Sequence, residues 1–215
     1  MPENTSKEWI NAHRKHNYRL TPERRIQTIE DARRFVEQMG FCHFWPVKGI
    51  ETPNLFHAIA GRARPVPKAH GDPDLSKCWT WKDEALDKRW WYYGKLLRRR
   101  ATLVSLDLLP SLYACTENYG DLHDYLAEYH AGTMTAEAKQ IYEALLEKGP
   151  LDKLRLRRAT HMQSKRSKYR FDRALVELQV GLKVLPIGVA EVGAWNYAFT
   201  RSEEHTSELQ SPLCI

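Results

Sequence analysis

Residues 135–199, TAEAKQIYEALLEKGPLDKLRLRRATHMQSKRSKYRFDRALVELQVGLKVLPIGVAEVGAWNYAF, decide the fold. Thr135 stands where a helix N-cap belongs, and Ala138, Ile141, Tyr142 and Leu145 follow it at helical spacing. Gly149-Pro150 stops this helix, because glycine tolerates the left-handed backbone and proline has no amide hydrogen to continue the ladder. Asp152 caps a short second helix reaching about Thr160. Ser167 is placed to cap a third, in which Phe171, Ala174, Leu175 and Leu178 recur at i, i+3, i+4 and i+7. The stripe predicts that Leu175 and Leu178 pack on Ile141, Leu145 and Leu154. Beyond Gly181 the composition turns β-rich, with strands expected over 182–189 and 194–199 and a turn at Glu191-Val192-Gly193. Three helices and a hairpin make a winged helix-turn-helix, so the chain reads as mostly α (α+β).

Charge suggests what this unit touches. Residues 151–173 hold nine basic side chains (Lys153, Arg155, Arg157, Arg158, Lys165, Arg166, Lys168, Arg170 and Arg173) against Asp152 and Asp172. That local +7 exceeds the +6 of the whole chain. It falls on the second helix, the turn and the first half of the third helix, the segments that meet phosphates and the major groove in a helix-turn-helix. A basic helix face alone reads as solvated surface; its coincidence with the fold pattern makes double-stranded DNA the expected partner. Arg170 and Arg173 are assigned to the groove, and Lys165, Arg166 and Lys168 to phosphates.

Residues 201–211, RSEEHTSELQS, resemble the conceptual translation of a sequencing-library adaptor, and residues 201–215 are set aside as not natural sequence. Without them the balance is 32 basic to 24 acidic residues, or +8. About 200 residues remain, enough for one large domain or two small ones. Cys42, Cys78 and Cys115 are far apart and form no CxxC pair, so neither a disulfide framework nor a zinc site is expected. No Gly-rich phosphate loop, nucleophile elbow or HExxH is present, and no cofactor or metal is expected. MPENTSKEWINAHRK lacks an apolar signal core and no run reaches membrane-spanning length, so a cytoplasmic protein with no membrane partner is expected.

The N-terminal part reads as an arm or helix over 1–27, followed by a helical, winged-helix-like region over 28–132 and the winged helix over 133–200. The arm carries Trp9, Ile10 and His13; His13 and His16 lack a third ligand and read as surface histidines. Thr28 and Asp31 form a capping box before the stripe Ala32, Phe35, Val36 and Met39, which Gly40 ends. Residues 41–45 are extended or buried, and Thr52-Pro53 opens a helix to about Ala60. Residues 61–79, rich in proline and glycine, form an irregular connection. Thr80 with Asp83 starts a helix carrying Leu86, Trp90, Tyr93 and Leu97, with Arg98, Arg99 and Arg100 at its end. Those cations complement the helix dipole or, interleaved with aromatics, hold phosphate. Residues 101–115 are ambiguous, with Ser105 a cap and Pro110 near a first turn, and Asp121 caps a helix through Tyr129 that Gly132 closes.

Candidate chemistry is sparse. Asp83 and Glu84 sit at an expected helix start, where capping already explains Asp83, and His43 sits among Phe41, Phe44 and Trp45, where a core histidine is the first reading. The stretches WKDEALDKRWWYYGKLLRRRATLVSLDLLP and AKQIYEALLEKGPLDKLRLRRA…YRFDRALVELQ…LPIGVAEVGAWNYAF resemble the AlkZ-related proteins, which belong with the AlkZ/YcaQ group of winged-helix DNA glycosylases. The resemblance implies a repair protein acting on alkylated or crosslinked bases in duplex DNA. In those enzymes a catalytic Gln or His, a hydrophobic residue, then Gln or Asp follow a glycine-led turn. Here the matching segment is Gly40-Phe41-Cys42-His43-Phe44-Trp45. His43 takes the first motif position and Phe44 the second, while Trp45 replaces the carboxylate or amide. The resemblance thus implies His43 as the catalytic residue, with Trp45, Trp90 and Trp91 as stacking surface for a displaced base. Two readings stay open: a DNA-binding protein of glycosylase type, or a non-enzymatic winged-helix module for transcriptional regulation or protein contacts.

Overall fold

In the computed structural model, residues 3–68, 71–116, 118, 123–189 and 197–201 are described. The chain is α+β, mostly helical, and divides into two compact units: Met1–Trp91 with Ala101–Ser105, and Tyr92–Arg100 with Leu106–Ile215.

The first unit contains α1 (Glu3–Asn17), α2 (Ile29–Met39), β1 (Phe41–His43), α3 (Leu55–Ala60) and α4 (Pro73–Asp87). β2 (Trp91–Lys95) then carries the chain out of it, and β3 (Ala101–Ser105) brings it back. α2 starts as its capping box dictates: the Asp31 amide donates to Thr28 Oγ1 at 3.1 Å and the Thr28 amide donates to the Asp31 carboxylate at 3.3 Å. Its stripe of Ala32, Phe35 and Val36 is buried, and Gly40, at φ 73°, ends it. The turn at Gly40 releases β1, which pairs antiparallel with β3 in the register Phe41↔Val104, Cys42↔Leu103 and His43↔Thr102. Phe35, Phe44, Phe56, Ile59 and Leu103 belong to the buried core of this unit.

Several boundaries differ from the sequence reading. α3 is capped by Asn54, whose side chain accepts the His57 amide at 2.9 Å, two residues beyond Thr52. The irregular connection stops at residue 72, because Asp72 accepts the Asp74 and Leu75 amides and Pro73 fits a first turn that needs no amide there. Arg64 fixes that start by bonding Asp72 at 2.7 Å and Asp74 at 2.8 Å. Thr80 and Asp83 therefore lie inside α4 and do not cap it. α4 also ends early, since Arg89 adopts a left-handed φ of 53° and Trp91, Tyr92 and Tyr93 prefer the extended backbone they take in β2. Arg98 and Arg99 are left-handed too, at φ 52° and 58°, so the arginine run occupies a 3-10 turn (Leu97–Arg99) rather than a helix end. Ser105 closes β3, and the next helix starts from Leu108 instead.

The second unit adds α5 (Leu109–Ala114), which tolerates Pro110 in its first turn, and α6 (Asp124–His130). It continues through α7 (Ala136–Lys148), β4 (Leu151–Asp152), α8 (Lys153–Ala159), α9 (Lys165–Val180), β5 (Val184–Val189) and β6 (Tyr197–Arg201). Thr135 caps α7 and also ties it to α9, its amide and hydroxyl donating to Glu177 at 2.8 and 2.9 Å. Ile141, Leu145, Phe171, Ala174, Leu175, Leu178, Val184 and Phe199 share one buried cluster. β4, a strand of two residues that periodicity does not reveal, pairs with β6 as Leu151↔Phe199 and Asp152↔Ala198. β6 also pairs antiparallel with β5, giving the order β4-β6-β5.

Two expectations in this unit are corrected. Ser164, not Ser167, caps α9, accepting the Ser167 amide at 3.1 Å, so the helix starts three residues earlier. Leu154 is 42% exposed, and Leu156 fills the core position: once Asp152 fixes the start of α8, the helical turn aims residue 156 inward. The Asp121 cap, the Glu191-Val192-Gly193 turn and the adaptor-like residues 202–215 lie outside the described residues. Among the described residues no helix is long and apolar enough to cross a membrane.

Leu178→Ala is expected to cost about 2–5 kcal/mol in denaturant unfolding, through lost burial and a cavity. Leu154→Ala should stay within about 0.5 kcal/mol, and equal losses would mean that α8 is turned the other way. In the first unit, the bond from Arg64 is the main reason the Asp72 carboxyl lies below its ordinary range. A depressed folded pKa contributes stability that is complete above the unfolded value and lost as pH falls through the folded one. Acid should therefore destabilise the native protein more than Asp72→Asn as pH falls through and below the ordinary carboxylate range. Parallel stability–pH curves for the two proteins would remove that role from Asp72.

Candidate nucleic-acid interface

The α8–turn–α9 segment is shaped by one of its own arginines. Arg157 donates from Nε to the Met162 carbonyl at 2.8 Å and from Nη2 to the Gln163 and Ser164 carbonyls at 3.0 and 3.1 Å. Its guanidinium carbon also lies 5.9 Å from the centre of the Phe171 ring. His161 makes the turn possible by taking a left-handed φ of 54°, and Thr160 returns its hydroxyl proton to the Leu156 carbonyl at 2.9 Å. Arg157 is therefore a bracket for the turn, and a guanidinium so engaged is not available to a ligand.

The other eight basic residues divide by their partners. Lys153 meets Asp172 at 2.7 Å, Arg155 meets Asp152 at 3.3 Å, and Arg170 reaches Glu137 at 3.1 Å while remaining 65% exposed. Arg158, Lys165, Arg166, Lys168 and Arg173 are exposed and form no ion pair with any described residue. Four of these five lie on α9, whose opposite side is the apolar stripe Phe171, Ala174, Leu175 and Leu178. The same exposed side presents Tyr169, 74% exposed. Sequence reasoning passed over this residue; the available signal was an aromatic out of phase with the apolar stripe.

In the first unit the predicted residues are placed differently. His43 is 2% exposed, and its backbone amide donates to the Pro53 carbonyl at 2.9 Å. Trp45 is half-buried in an aromatic cluster, edge-on to Phe44, Trp79 and Phe56 at centroid distances of 4.3, 5.6 and 5.7 Å. Trp91 is 2% exposed. Trp90 is half-buried beneath Arg33 and Lys88, whose charged groups lie 5.1 and 4.6 Å from its ring centre. Asp83 pairs with the fully buried Lys82, whose pKa is pushed down by desolvation against the pull of that carboxylate. Glu84 pairs with Lys88 at 2.6 Å.

An open cavity of about 460 Å³ in this unit is lined by Arg14, Tyr18, Glu51, Asn54 and His57, among others. His57, which the sequence reading did not single out, has both ring nitrogens engaged: Nε2 with the Arg64 carbonyl at 2.9 Å and Nδ1 with the Asn54 amide group at 3.1 Å. Burial lowers its pKa, favouring a neutral ring that pins residue 64 to α3. The cavity thus holds a structural histidine. His13 stacks on Trp9 at 5.1 Å and bonds Asn17 at 2.7 Å. No group of three or more His, Cys, Asp or Glu among the described residues is placed to hold a metal ion.

A family model described as AlkZ related matches residues 26–196. No curated protein and no solved structure matches the chain.

The two kinds of arginine in this segment should separate on mutation. Arg157→Ala is expected to lower stability by about 1–3 kcal/mol, since three carbonyl acceptors lose a charged donor. Arg158→Ala should change it by less than about 0.5 kcal/mol. Thermal or denaturant unfolding reads both, and an indifferent Arg157→Ala would contradict the bracket.

Proposed function

Because the chain belongs to the AlkZ-related family, we propose that it binds duplex DNA and that its second unit is a winged helix-turn-helix. The order of elements supports the fold reading: three helices, α7, α8 and α9, a short strand between the first two, and a closing hairpin that pairs with that strand. One observation carries the binding reading. Five cations without acidic partners among the described residues stand exposed on α8 and α9, where a helix-turn-helix meets its duplex. In this reading Lys165, Arg166 and Lys168, at the start of α9, hold phosphates. Arg173 lies deeper along the groove, and Arg170 must exchange Glu137 for DNA.

Binding without base excision is the better-supported half of the family's chemistry. Cleaving an N-glycosidic bond builds positive charge on the sugar and requires a polar group that places water. At the motif's third position this chain has Trp45, whose indole can only donate a hydrogen bond. His43, the remaining candidate, is buried in β1 and offers no exposed imidazole to a sugar. The reading is therefore a DNA-binding protein on a glycosylase-related framework.

Binding to a short duplex, followed by fluorescence anisotropy across a salt series, tests it. Affinity should fall steeply with salt, each phosphate contact contributing about 0.9 to the log–log slope. Changing Lys165, Arg166 and Lys168 together to Gln should flatten that slope with the circular dichroism spectrum intact. An unchanged slope would remove these side chains from the interface. No binding by the native protein, with retained capture of a protein partner, would favour the protein-contact reading instead.

A further inference from the structure

Tyr169 has no structural employment. Its side chain is 74% exposed, and among the described residues it makes no hydrogen bond, ring contact or ion pair. Helical geometry locates it sharply. With successive residues about 100° apart around the axis, Tyr169 points within about 10° of the direction opposite the mean of Phe171, Ala174, Leu175 and Leu178. It is the crest of α9. Lys165 and Arg173, one turn before and one turn after, stand about 40° to either side of that line, and Lys168 and Arg170 about 100° to either side. The result is a large, partly apolar ring framed by four cations, all five side chains exposed.

Resting on the DNA-binding reading above, we propose that Tyr169 is the residue that contacts base edges in the major groove. A helix laid in the groove places its crest nearest the floor and its flanks nearest the two phosphate walls. The cations on the flanks neutralise phosphate, which orients the protein but carries no sequence information. The crest meets the bases, where an aromatic face packs against apolar edges such as the thymine methyl group. Neutralising no charge, the ring displaces no counterions, so its contribution to affinity is independent of salt.

That separation makes the test. Tyr169→Ala and Tyr169→Phe are compared with the native protein on one thymine-containing duplex over a salt series. Tyr169→Ala is expected to weaken binding about tenfold at every salt concentration, leaving the log–log slope unchanged. Tyr169→Phe should bind within about twofold of native, because the ring and not the hydroxyl makes the contact. A loss with Phe equal to that with Ala would assign the contact to the hydroxyl and overturn the proposal, as would unaltered affinity of Tyr169→Ala. In the latter case steep, salt-dependent binding by all three proteins would leave the DNA-binding reading standing. Absence of binding by the native protein would fell that reading itself.

Discussion

The basic face depends on one guanidinium that faces inward. Arg157 gathers the carbonyls of Met162, Gln163 and Ser164, so the backbone between α8 and α9 is held by a side chain rather than by a regular ladder. Those carbonyls belong to a turn, where a polar group left unpaired would be costly; the Ser164 carbonyl also accepts the Ser167 hydroxyl at 3.0 Å. The bracket reaches the residue at which α9 begins. Arg157 holds the Ser164 carbonyl while the Ser164 hydroxyl oxygen accepts the Ser167 amide that opens the helix. Lysine could not substitute, because a point charge lacks the planar fork that spans several acceptors.

Legibility in the sequence tracks the range of the interaction involved. The caps at Thr28, Thr135 and Asp152 bond residues two or three positions away, and all three were readable from a handful of letters. The α9 stripe was readable because four apolar residues repeat the helical period against a polar background. Ser164 and Ser167 illustrate the limit. Both are serines at a helix entrance, and what distinguishes them is which side-chain oxygen receives the other's amide, a matter of backbone geometry and not of residue type. β4 lies further beyond reach, being two residues long and defined wholly by its pairing with Ala198 and Phe199.

The candidate site divides in the same way. A charge cluster is a property of composition, so the nine basic residues were visible at once; which of them are occupied by Asp152, Asp172, Glu137 or the turn carbonyls was not. His43 and the tryptophans show the opposite failure. A motif position suggests a role, but exposure is set by partners such as β3, some sixty residues later in the chain. The helix expected across residues 80–100 stops at Asp87, because aromatic residues satisfy helical and strand patterns alike and the strand preference of consecutive rings prevailed in β2.

The first unit is not one continuous length of chain. It runs to Trp91, lapses while residues 92–100 serve the second unit, and is completed by Ala101–Ser105. Since β3 is the partner of β1, this unit's strand pair is completed by a segment that the other unit's residues precede. A genetic crossover falling between residues 92 and 100 would send β1 into one descendant and β3 into another. The first unit is therefore inherited whole only when residues 92–100 travel with it.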